Sequence, residues 1–555
     1  MGDFRVPSVE ATCGKGSRTV DLRYVGHTVR EGKYALEGLP AFYDEGVTAQ
    51  TLSVELRDSC TGLEVELLYG VLEKYDLITR AVRVRNGGES PMELERVSSV
   101  CLDFPAGEHD LITLGGACAR EREPVRMPLT QGVHTVGSVR GTSSHQQNPF
   151  VVLCDHETTE DAGRCWGVAL VYSGSFQANT EYTQFHETRL TLGINPFHFR
   201  WKLQPGESFA TPEAAMVFSA QGLGPLAHRI EEMGMKFGLW VEPEMVNEDS
   251  DLYWAHPDWA FQVPGRPMTR GRSQLVLDLT RAEVRQYIMD NLRATLNSAP
   301  ISYIKWDMNR SLTDVWSAAL PAQRQGEVYH RYVLIVYEIL EMLHQEFPQV
   351  LIEGCSGGGG RFDCGMLYYT PQIWCSDNTN AIERLRIQYG TSFCYPCAAV
   401  GAHVSAVPNG QTGRSVSMHT RGVVAAAGTF GYELDLNEIT SEEMEEVRTQ
   451  IQHFRSCWDL VLRGDYYRLS NPFRQEVFNA WMHVSPDKSR ALVGVVMGVG
   501  HANPIRPLLR LKGLDPNADY KVNGEVYGGD QLMYGGLALP ILQEYQALQF
   551  DLERV

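Results

Sequence analysis

The chain has 555 residues, 43% of them hydrophobic and 21% charged, which is a globular composition too long for one hydrophobic core. Two to four domains are therefore expected. The formal net charge of −19 argues against nucleic acid and anionic membrane surfaces as partners, because both are bound through basic patches. These totals favour an acidic, soluble enzyme.

The N-terminus and the cysteines predict a cytoplasmic protein. Met1–Arg5 contains no basic start followed by an apolar segment, and no later apolar run approaches the length that spans a bilayer. The twelve cysteines are sparse and lack the arrangement of a small disulfide-linked secreted scaffold. Reduced thiols are therefore expected.

Short runs of alternating apolar and polar residues extend from Thr19 to about Met216. Examples are Thr51–Leu56, Leu63–Leu67 and Ile78–Val84, with glycines and asparagines at the turns between runs. Period-two alternation at this spacing predicts an antiparallel β-sandwich, here assigned to residues 1–222. A polar loop at 143–148 could extend to a site elsewhere, although most such loops are plain surface loops.

The pattern changes near Gly222, where helical and strand-like segments begin to alternate. A helix is predicted at Pro225–Gly234. Predicted strands are Lys236–Val241, Gln274–Leu279, Tyr303–Met308, Val350–Gly354, Gln372–Ser376 and His403–Val407. Predicted helices between them include Arg281–Asn297, Gly326–Glu346 and Ile382–Tyr389. This order indicates a parallel (β/α)8-type barrel over residues 223–465, with six of its eight strands evident.

Alternation returns after the predicted helix Glu442–Leu462. The strand-like segments are Phe478–Val484, Ala491–Val496, Leu508–Leu511, Tyr520–Val522 and Leu537–Leu539. We predict a small antiparallel β-domain over residues 466–555. The fold class is thus multidomain, α/β plus all-β.

Catalytic residues of a parallel barrel lie at the C-terminal strand ends. The candidates there are Trp240, Asp278, Asp307, Cys355 and Asp377. In a strand ending near Met308, alternation places Lys305, Asp307 and Asn309 on one face. The neighbouring ammonium would keep Asp307 ionised, although an isolated Lys-x-Asp is more often a structural ion pair.

Asp377 follows Trp374-Cys375-Ser376, and the next basic residue is Arg384. Apolar cover without a local cation favours a protonated carboxyl, which suits a general acid. With Asp307 it forms a pair of carboxyls in contrasting surroundings. Retaining glycoside hydrolysis uses such a pair at about 5–5.5 Å.

Four consecutive glycines, Gly357–Gly360, lie between the two carboxyls, in the segment Gly354–Arg361. Glycines at a strand end allow a ligand to approach the backbone closely, although a flexible connector is the more common explanation for a glycine run alone. Trp240, Trp306 and Trp374 offer ring faces for a pyranose, but core packing accounts for most tryptophans.

These segments resemble the signatures of family 36 glycoside hydrolases, the bacterial α-galactosidases. The segments are Gly238–Val246, Gly271–Asp278, Lys305–Arg310, Glu353–Asp363 and Trp374–Thr379. The resemblance covers nearly the whole chain, including the N-terminal sandwich. It implies hydrolysis of raffinose-type oligosaccharides and melibiose in the cytoplasm, by a homo-oligomer, often a tetramer, without metal or cofactor.

The resemblance also implies roles for individual residues. Asp307 would be the nucleophile and Asp377 the acid/base. The galactose pocket would be lined by Trp240, Arg272, Lys305, Asn309, Cys355, Gly357 and Trp374. The glycine-rich segment that begins at Cys355 is the galactosidase form, and relatives acting on N-acetylgalactosamine usually differ there.

Two departures from the family pattern bear on activity. The chain begins after an N-terminal β segment of the family, and the junction Ser219–Pro225 joins the end of the sandwich to the helix before the third barrel strand. The missing strands, with their Asp-Asp-Gly-Trp motif, represent on the order of 60 residues or more. Asp307 is then expected on the third strand of a six-stranded remnant.

Other functions stay open at this point. A decayed, non-catalytic sugar-binding relative and an α-N-acetylgalactosaminidase are the alternatives within the family. Cys394-Tyr395-Pro396-Cys397 could indicate a zinc or redox site, but a second pair of ligands at regular spacing is absent from the sequence. Glu242 and Glu244 flank Pro243 and form a weaker candidate acid/base pair.

Overall fold

The computed structural model describes residues 5–43, 48–159, 162–219, 238–298, 301–474, 476–500 and 506–555. The predicted helix Pro225–Gly234 and the junction after Ser219 lie outside these residues. The chain forms two compact units. Among the described residues, the first lies within 5–116, 124–219 and 238–371, and the second within 117–123 and 372–555.

The N-terminal part of the chain consists almost entirely of strands. They are β1 (Val9–Thr12), β2 (Arg23–Glu31), β3 (Ala49–Arg57), β4 (Leu63–Leu72), β5 (Leu77–Asn86), β6 (Met92–Phe104), β7 (His109–Ala117), β8 (Arg120–Pro128), β9 (Gly132–Gly137), β10 (Gln147–Asp155), β11 (Cys165–Leu170), β12 (Phe176–Tyr182), β13 (Thr188–Ile194), β14 (Trp201–Leu203), β15 (Ser208–Ala210) and β16 (Ala214–Ser219).

In the first unit these strands build two antiparallel sheets. The smaller runs in the order β1-β6-β13-β12-β9, and the larger includes β2-β3-β4-β5-β16-β11-β10-β7. Alternation along the strands produces the core, as in β4, where Leu63, Val65 and Leu68 are buried. β10 of the larger sheet contacts β12 of the smaller one. The predicted sandwich is confirmed.

Parallel strands follow, three in each unit among the described residues. In the first unit β17 (Gly238–Val241), β20 (Tyr303–Trp306) and β21 (Leu351–Gly354) pair in that order. In the second unit β22 (Gln372–Trp374), β23 (Val400–Ser405) and β24 (Thr429–Glu433) do the same.

Helices separate these strands, as a βα pattern requires. They are α1 (Asp251–Ala255), α2 (Ala282–Ser298), α3 (Val328–Glu346), α4 (Cys364–Tyr369), α5 (Ala381–Thr391), α6 (Met418–Ala425) and α7 (Ser441–Arg463). Capping explains where several begin. Thr440 and Glu443 form a capping box at the start of α7, and the Asp363 side chain accepts the Met366 N–H at the start of α4.

One predicted barrel strand is wrong, and one parallel strand was not predicted. Gln274–Leu279 corresponds to β19 (Gln274–Val276), which pairs antiparallel with β18 (Met245–Asn247) in a separate two-stranded ribbon. Thr429–Glu433 takes the sixth parallel position. Asp307 therefore follows the second parallel strand of the described chain and not the third. Local alternation marks a strand but does not reveal its partner.

The C-terminal region forms the predicted antiparallel domain. Its strands are β25 (Asp465–Arg468), β26 (Phe478–Val484), β27 (Arg490–Met497), β28 (Leu508–Leu509), β29 (Asp519–Val522), β30 (Glu525–Gly528), β31 (Leu537–Ala538) and β32 (Ala547–Arg554). Six of them form one sheet in the order β25-β26-β27-β32-β29-β30, over a core that includes Met482, Val493 and Tyr520. Among the described residues, no helix has both the length and the apolar character needed to cross a membrane.

Candidate active site

Asp307 is a carboxylate at a parallel strand end that accepts four hydrogen bonds. It follows β20 directly, and only 6% of the residue is exposed. Oδ1 accepts the backbone N–H of Met308 at 2.8 Å and that of Gly357 at 3.1 Å. Oδ2 accepts Nδ2 of Asn309 at 2.7 Å and the indole N–H of Trp240 at 3.3 Å. Four donors in a mostly buried setting hold the carboxylate in one orientation.

The Trp240 ring is 54% exposed, unlike the buried core tryptophan Trp306. The indole N–H of Trp240 donates to Asp307. An apolar ring face therefore lies beside the carboxylate and is open to solvent. This arrangement suits the stacking of a pyranose ring. Trp306 instead is fully buried, and its indole N–H donates to Glu244 at 2.8 Å.

The glycine-rich segment after β21 packs against the Asp307 strand. The Cys355 N–H donates to the Trp306 carbonyl at 2.7 Å, and Ser356 Oγ donates to the Met308 carbonyl at 2.8 Å. Gly357 has φ +52°, a left-handed conformation that favours glycine. The segment is thus a close-approach loop held to the strand and not a free connector. The Cys355 thiol itself is buried.

Lys305 and Asn309 each have an acidic partner. Lys305 Nζ lies 2.9 Å from Oε1 of Glu353, and Tyr303 donates to Oε2 of the same carboxylate at 2.5 Å. Asn309 Nδ2 donates to Glu242 as well as to Asp307. Burial, and next the Glu353 charge, raise the pKa of the Tyr303 phenol.

Arg272 lies at the exposed tip of the turn from Gly271 to Gln274. Arg272 and Ser273 both have positive φ values, +51° and +61°, which non-glycine residues rarely adopt. Below the tip, Gln274 Nε2 donates to Glu242 at 3.0 Å. Because Glu242 also accepts from Asn309, hydrogen bonds connect this turn to the Asp307 group.

The weaker candidates have structural partners. Glu244 is buried and accepts from Trp306, from Tyr332 at 2.8 Å and from Arg361 at 2.7 Å, so it anchors the core of the first unit. Asp278, no longer at a parallel strand end, accepts from Thr280, and burial raises its pKa.

The second unit contains Asp377 and Trp374. Trp374 is buried at the end of β22, and its indole N–H donates to Asp377 Oδ1 at 3.2 Å. The Trp374 ring packs against the ring of His403 with centroids 4.7 Å apart. The aromatic neighbour predicted for Asp377 is therefore present.

A cation does accompany the Asp377 loop, contrary to the sequence-based expectation. The buried Arg384 donates to the carbonyls of Ser376 at 2.7 Å and Asn378 at 2.6 Å, which flank Asp377. It also donates to the Gly401 carbonyl at 2.9 Å. Arg384 lies seven positions along the chain, on the first turn of α5, and the helix brings it back beneath the loop.

The Cys-x-x-Cys segment lacks the electrostatics of a zinc or redox site. Burial raises the pKa of the Cys397 thiol to about 12, which disfavours the thiolate that both chemistries need.

The structure thus gathers Asp307, Trp240, Asn309 and Gly357 in the first unit, and Trp374 and Asp377 in the second. Sequence reasoning gave no role to His145, whose ring contacts Gly357, and none to Arg384. Glu353, the partner of Lys305, also belongs to the site. The sequence did contain a chemical signal for Glu353. A carboxylate near the end of a buried strand needs a counter-charge, and Lys305 lies opposite it on the neighbouring strand.

Comparisons with known proteins agree with this chemistry. The glycosyl hydrolase family 36 N-terminal domain matches residues 1–204, melibiase matches 213–464, and the family 36 C-terminal domain matches 478–552. The α-galactosidase AgaA of Geobacillus stearothermophilus is 44% identical over 630 residues, covering 97% of this chain and 86% of AgaA.

Two solved structures of AgaA variants are similar to the whole chain. A complex with raffinose has 42% identity and a TM-score of 0.96, covering 100% of this chain and 90% of AgaA. A complex with stachyose has 43% identity, the same TM-score and the same coverage. The predicted class, an N-terminal sheet domain, a central barrel-like domain and a C-terminal antiparallel sheet domain, is confirmed. The chain belongs to glycoside hydrolase family 36.

Proposed function

We propose that this glycoside hydrolase removes terminal α-linked galactose from oligosaccharides of the raffinose, stachyose and melibiose type. The observation that carries the proposal is the Asp307 group: a mostly buried carboxylate with four fixed donors, beside an exposed indole face. The raffinose and stachyose complexes of AgaA support the substrate class.

The proposed reaction retains configuration and uses two carboxyls. Asp307 attacks the anomeric carbon and forms a galactosyl ester, while Asp377 gives its proton to the departing glycosidic oxygen. In the second step water attacks the same carbon, its proton passes to Asp377, and Asp307 leaves as a carboxylate. Donors on Asp307 stabilise that leaving charge.

Substrate contacts are assigned by chemistry. The exposed face of Trp240 would stack on the sugar, and Lys305, Asn309 and Arg272 would donate to its hydroxyl groups. Lys305 is suited to this role because its side chain keeps 23% exposure while Glu353 fixes its position. We also assign Cys355, Gly357 and Trp374 to the pocket lining. No metal or cofactor has a part in this reaction.

The test uses purified protein with 4-nitrophenyl α-galactoside and raffinose. Turnover with initial release of the α-anomer, followed by NMR, is expected. Asp307→Asn should lose at least a thousandfold in kcat, because the nucleophile is removed. The control Asp290→Asn changes an exposed carboxyl on α2 and should keep full activity. Release of the β-anomer, or full activity of Asp307→Asn, would refute the assignment.

A non-catalytic sugar-binding protein is the second candidate. The observation that favours it is the length of the AgaA alignment: 630 residues exceed the 555 of this chain, so the relative has internal segments without a counterpart here. Calorimetric titration with galactose separates the two. Binding without turnover of either galactoside identifies a binder, and turnover at ordinary rates shows that those segments are dispensable. The N-acetylgalactosaminide in the same assay tests the related specificity.

We further propose a cytoplasmic homo-oligomer, a dimer or tetramer. Thiols outside disulfides, such as those of the exposed Cys60 and the buried Cys154, support a reducing compartment. The edge strand β2, with Tyr24 and Val29 about three-fifths exposed, supports self-association. Light scattering coupled to gel filtration measures the mass, and a monomer would refute the assembly. Cell fractionation tests the compartment.

A further inference from the structure

A loop of the N-terminal sandwich contacts the segment that binds Asp307. The Ser144 N–H donates to the Gly360 carbonyl at 2.8 Å, and Asn148 Nδ2 donates to the Phe362 carbonyl at 2.8 Å. Between them, Nε2 of His145 lies 2.6 Å from the Gly357 carbonyl oxygen. The polar loop 143–148 is therefore not a plain surface loop.

The His145 contact determines that the ring nitrogen Nε2 carries a proton. A carbonyl oxygen only accepts, so Nε2 must carry the proton and donate it. The acceptor belongs to Gly357, whose own N–H donates to Asp307 Oδ1 at 3.1 Å. One residue thus receives a hydrogen bond from the sandwich and gives one to the carboxylate.

The glycine segment needs such a restraint. Gly357 and Gly358 have φ values of +52° and +87°, and a backbone without Cβ atoms rotates more freely than any other. Ser356 holds the segment on the strand side through the Met308 carbonyl at 2.8 Å. His145 holds it through the Gly357 carbonyl, so Gly357 and the residue before it are both tied to fixed groups.

We infer that His145 is a positioning residue that directs the Gly357 N–H at Asp307. The inference rests on the proposed function, in which Asp307 alternates between carboxylate and galactosyl ester. A donor fixed in advance stabilises the carboxylate as it leaves without reorganisation cost. The N-terminal sandwich thereby takes part in catalysis without touching the sugar.

The test compares His145→Ala with His145→Gln. In His145→Ala we expect kcat/KM for 4-nitrophenyl α-galactoside to fall about a hundredfold, as for a misplacement of about 1 Å, while inhibition by galactose stays unchanged. Gln carries a donor near the position of Nε2 and should recover most of the activity. His134→Ala, which changes a half-buried histidine on β9, is the matched control and should equal wild type.

Each outcome is decisive. A His145→Ala protein with wild-type kcat/KM and only a lower melting temperature overturns the inference, because His145 would then be purely structural. If His145→Ala does not fold, His145→Asn replaces it: its shorter donor should remain impaired, and activity equal to that of His145→Gln overturns the inference. An inactive wild type refutes the proposed function itself. Comparing wild type with Asp307→Asn distinguishes that failure from a failure of the His145 inference alone.

Discussion

Lys305 and Glu353 lie opposite each other on adjacent parallel strands, with Nζ 2.9 Å from Oε1. The Glu353 side chain is 1% exposed and also accepts from Tyr303. The lysine two residues before Asp307 therefore has a counter-charge on the neighbouring strand. This pairing holds the lysine ammonium in place, two residues from the carboxylate that four uncharged donors bind.

A double-mutant cycle on this pair should show strong coupling. Lys305→Met leaves a buried carboxylate without its cation and should lower the apparent free energy of unfolding by about 3 kcal/mol. The double variant Lys305→Met/Glu353→Gln should lose less free energy of unfolding, because the unpaired buried carboxylate is also removed. Urea denaturation measures the coupling, expected at about 1–3 kcal/mol.

The exposed pair Arg448 and Glu445 on α7 is the control cycle. Both of its side chains are in solvent, so Arg448→Met with Glu445→Gln should show negligible coupling. Equal coupling in the two cycles would show that burial does not strengthen the Lys305 pair.

Arg384→Lys should impair acid catalysis more than nucleophilic attack. Lysine cannot reproduce the fork of donors that binds the carbonyls of Ser376 and Asn378 around Asp377. Raffinose, whose leaving group needs protonation, should lose at least tenfold in kcat/KM. A dinitrophenyl α-galactoside, whose leaving group does not, should change little.

The ratio of the two substrates is the measurement. Arg386→Lys, on the exposed side of the same helix, is the control and should leave the ratio unchanged. Equal losses on both substrates for Arg384→Lys would contradict a specific effect on the acid.

Much of the fold could be predicted because alternation and capping are local. The strands of the sandwich follow period-two alternation, and the long helices follow their caps and apolar faces. The error at Gln274 arose because β19 looks locally like any short buried strand. Its partner, β18, lies 27 residues earlier, and no local pattern identifies an antiparallel ribbon inserted between parallel strands.

The candidate site divides in the same way. Asp307 and Asn309 could be placed together because they are two residues apart, directly after one strand. His145 could not, because 212 residues separate it from Gly357 and only the packing of the sandwich brings them together. The cation beside Asp377 could not be predicted, because Arg384 is distant along the chain but close in space. The first turn of α5 brings it back to the Asp377 loop.

Asp363 should make stability depend on pH in the mildly acidic range. It accepts from Ser143, Ser173 and the Met366 N–H, yet burial raises its pKa to about 6 from the ordinary 3.8. The folded protein therefore holds this proton more tightly than the unfolded chain. The associated stability is fully present below pH 3.8 and is lost as pH rises through about 6.

Asp363→Asn stays neutral and should lack this loss, which is on the order of 2–3 kcal/mol between pH 4 and 6. Thermal or urea unfolding across that range measures it. The control is Asp58→Asn: burial opposes ionisation there, but N–H groups of Asp21, Cys60 and Thr61 lower the pKa of Asp58. Its contribution is lost only below pH 3.8, so its difference from wild type should stay constant from pH 4 to 6. A constant difference for Asp363→Asn as well would contradict the assignment.

His453 should stabilise the second unit through a charge that persists into the alkaline range. Its Nε2 on α7 lies 2.7 Å from Oδ2 of Asp551 on β32. The hydrogen bond to Asp551, followed by that to Cys457, raises the pKa of His453 to about 10 from the ordinary 6.5. Since the folded pKa is the higher one, the stabilisation is fully present below pH 6.5 and is lost as pH rises through about 10.

His453→Gln should therefore have a lower melting temperature than wild type at pH 6.5, and the difference in melting temperature should narrow between pH 8 and 10. Asp551→Asn should reproduce that profile, and the double variant should add nothing because both changes remove one interaction. A gap that widens with pH would mean that the neutral imidazole, and not the ion pair, joins α7 to β32.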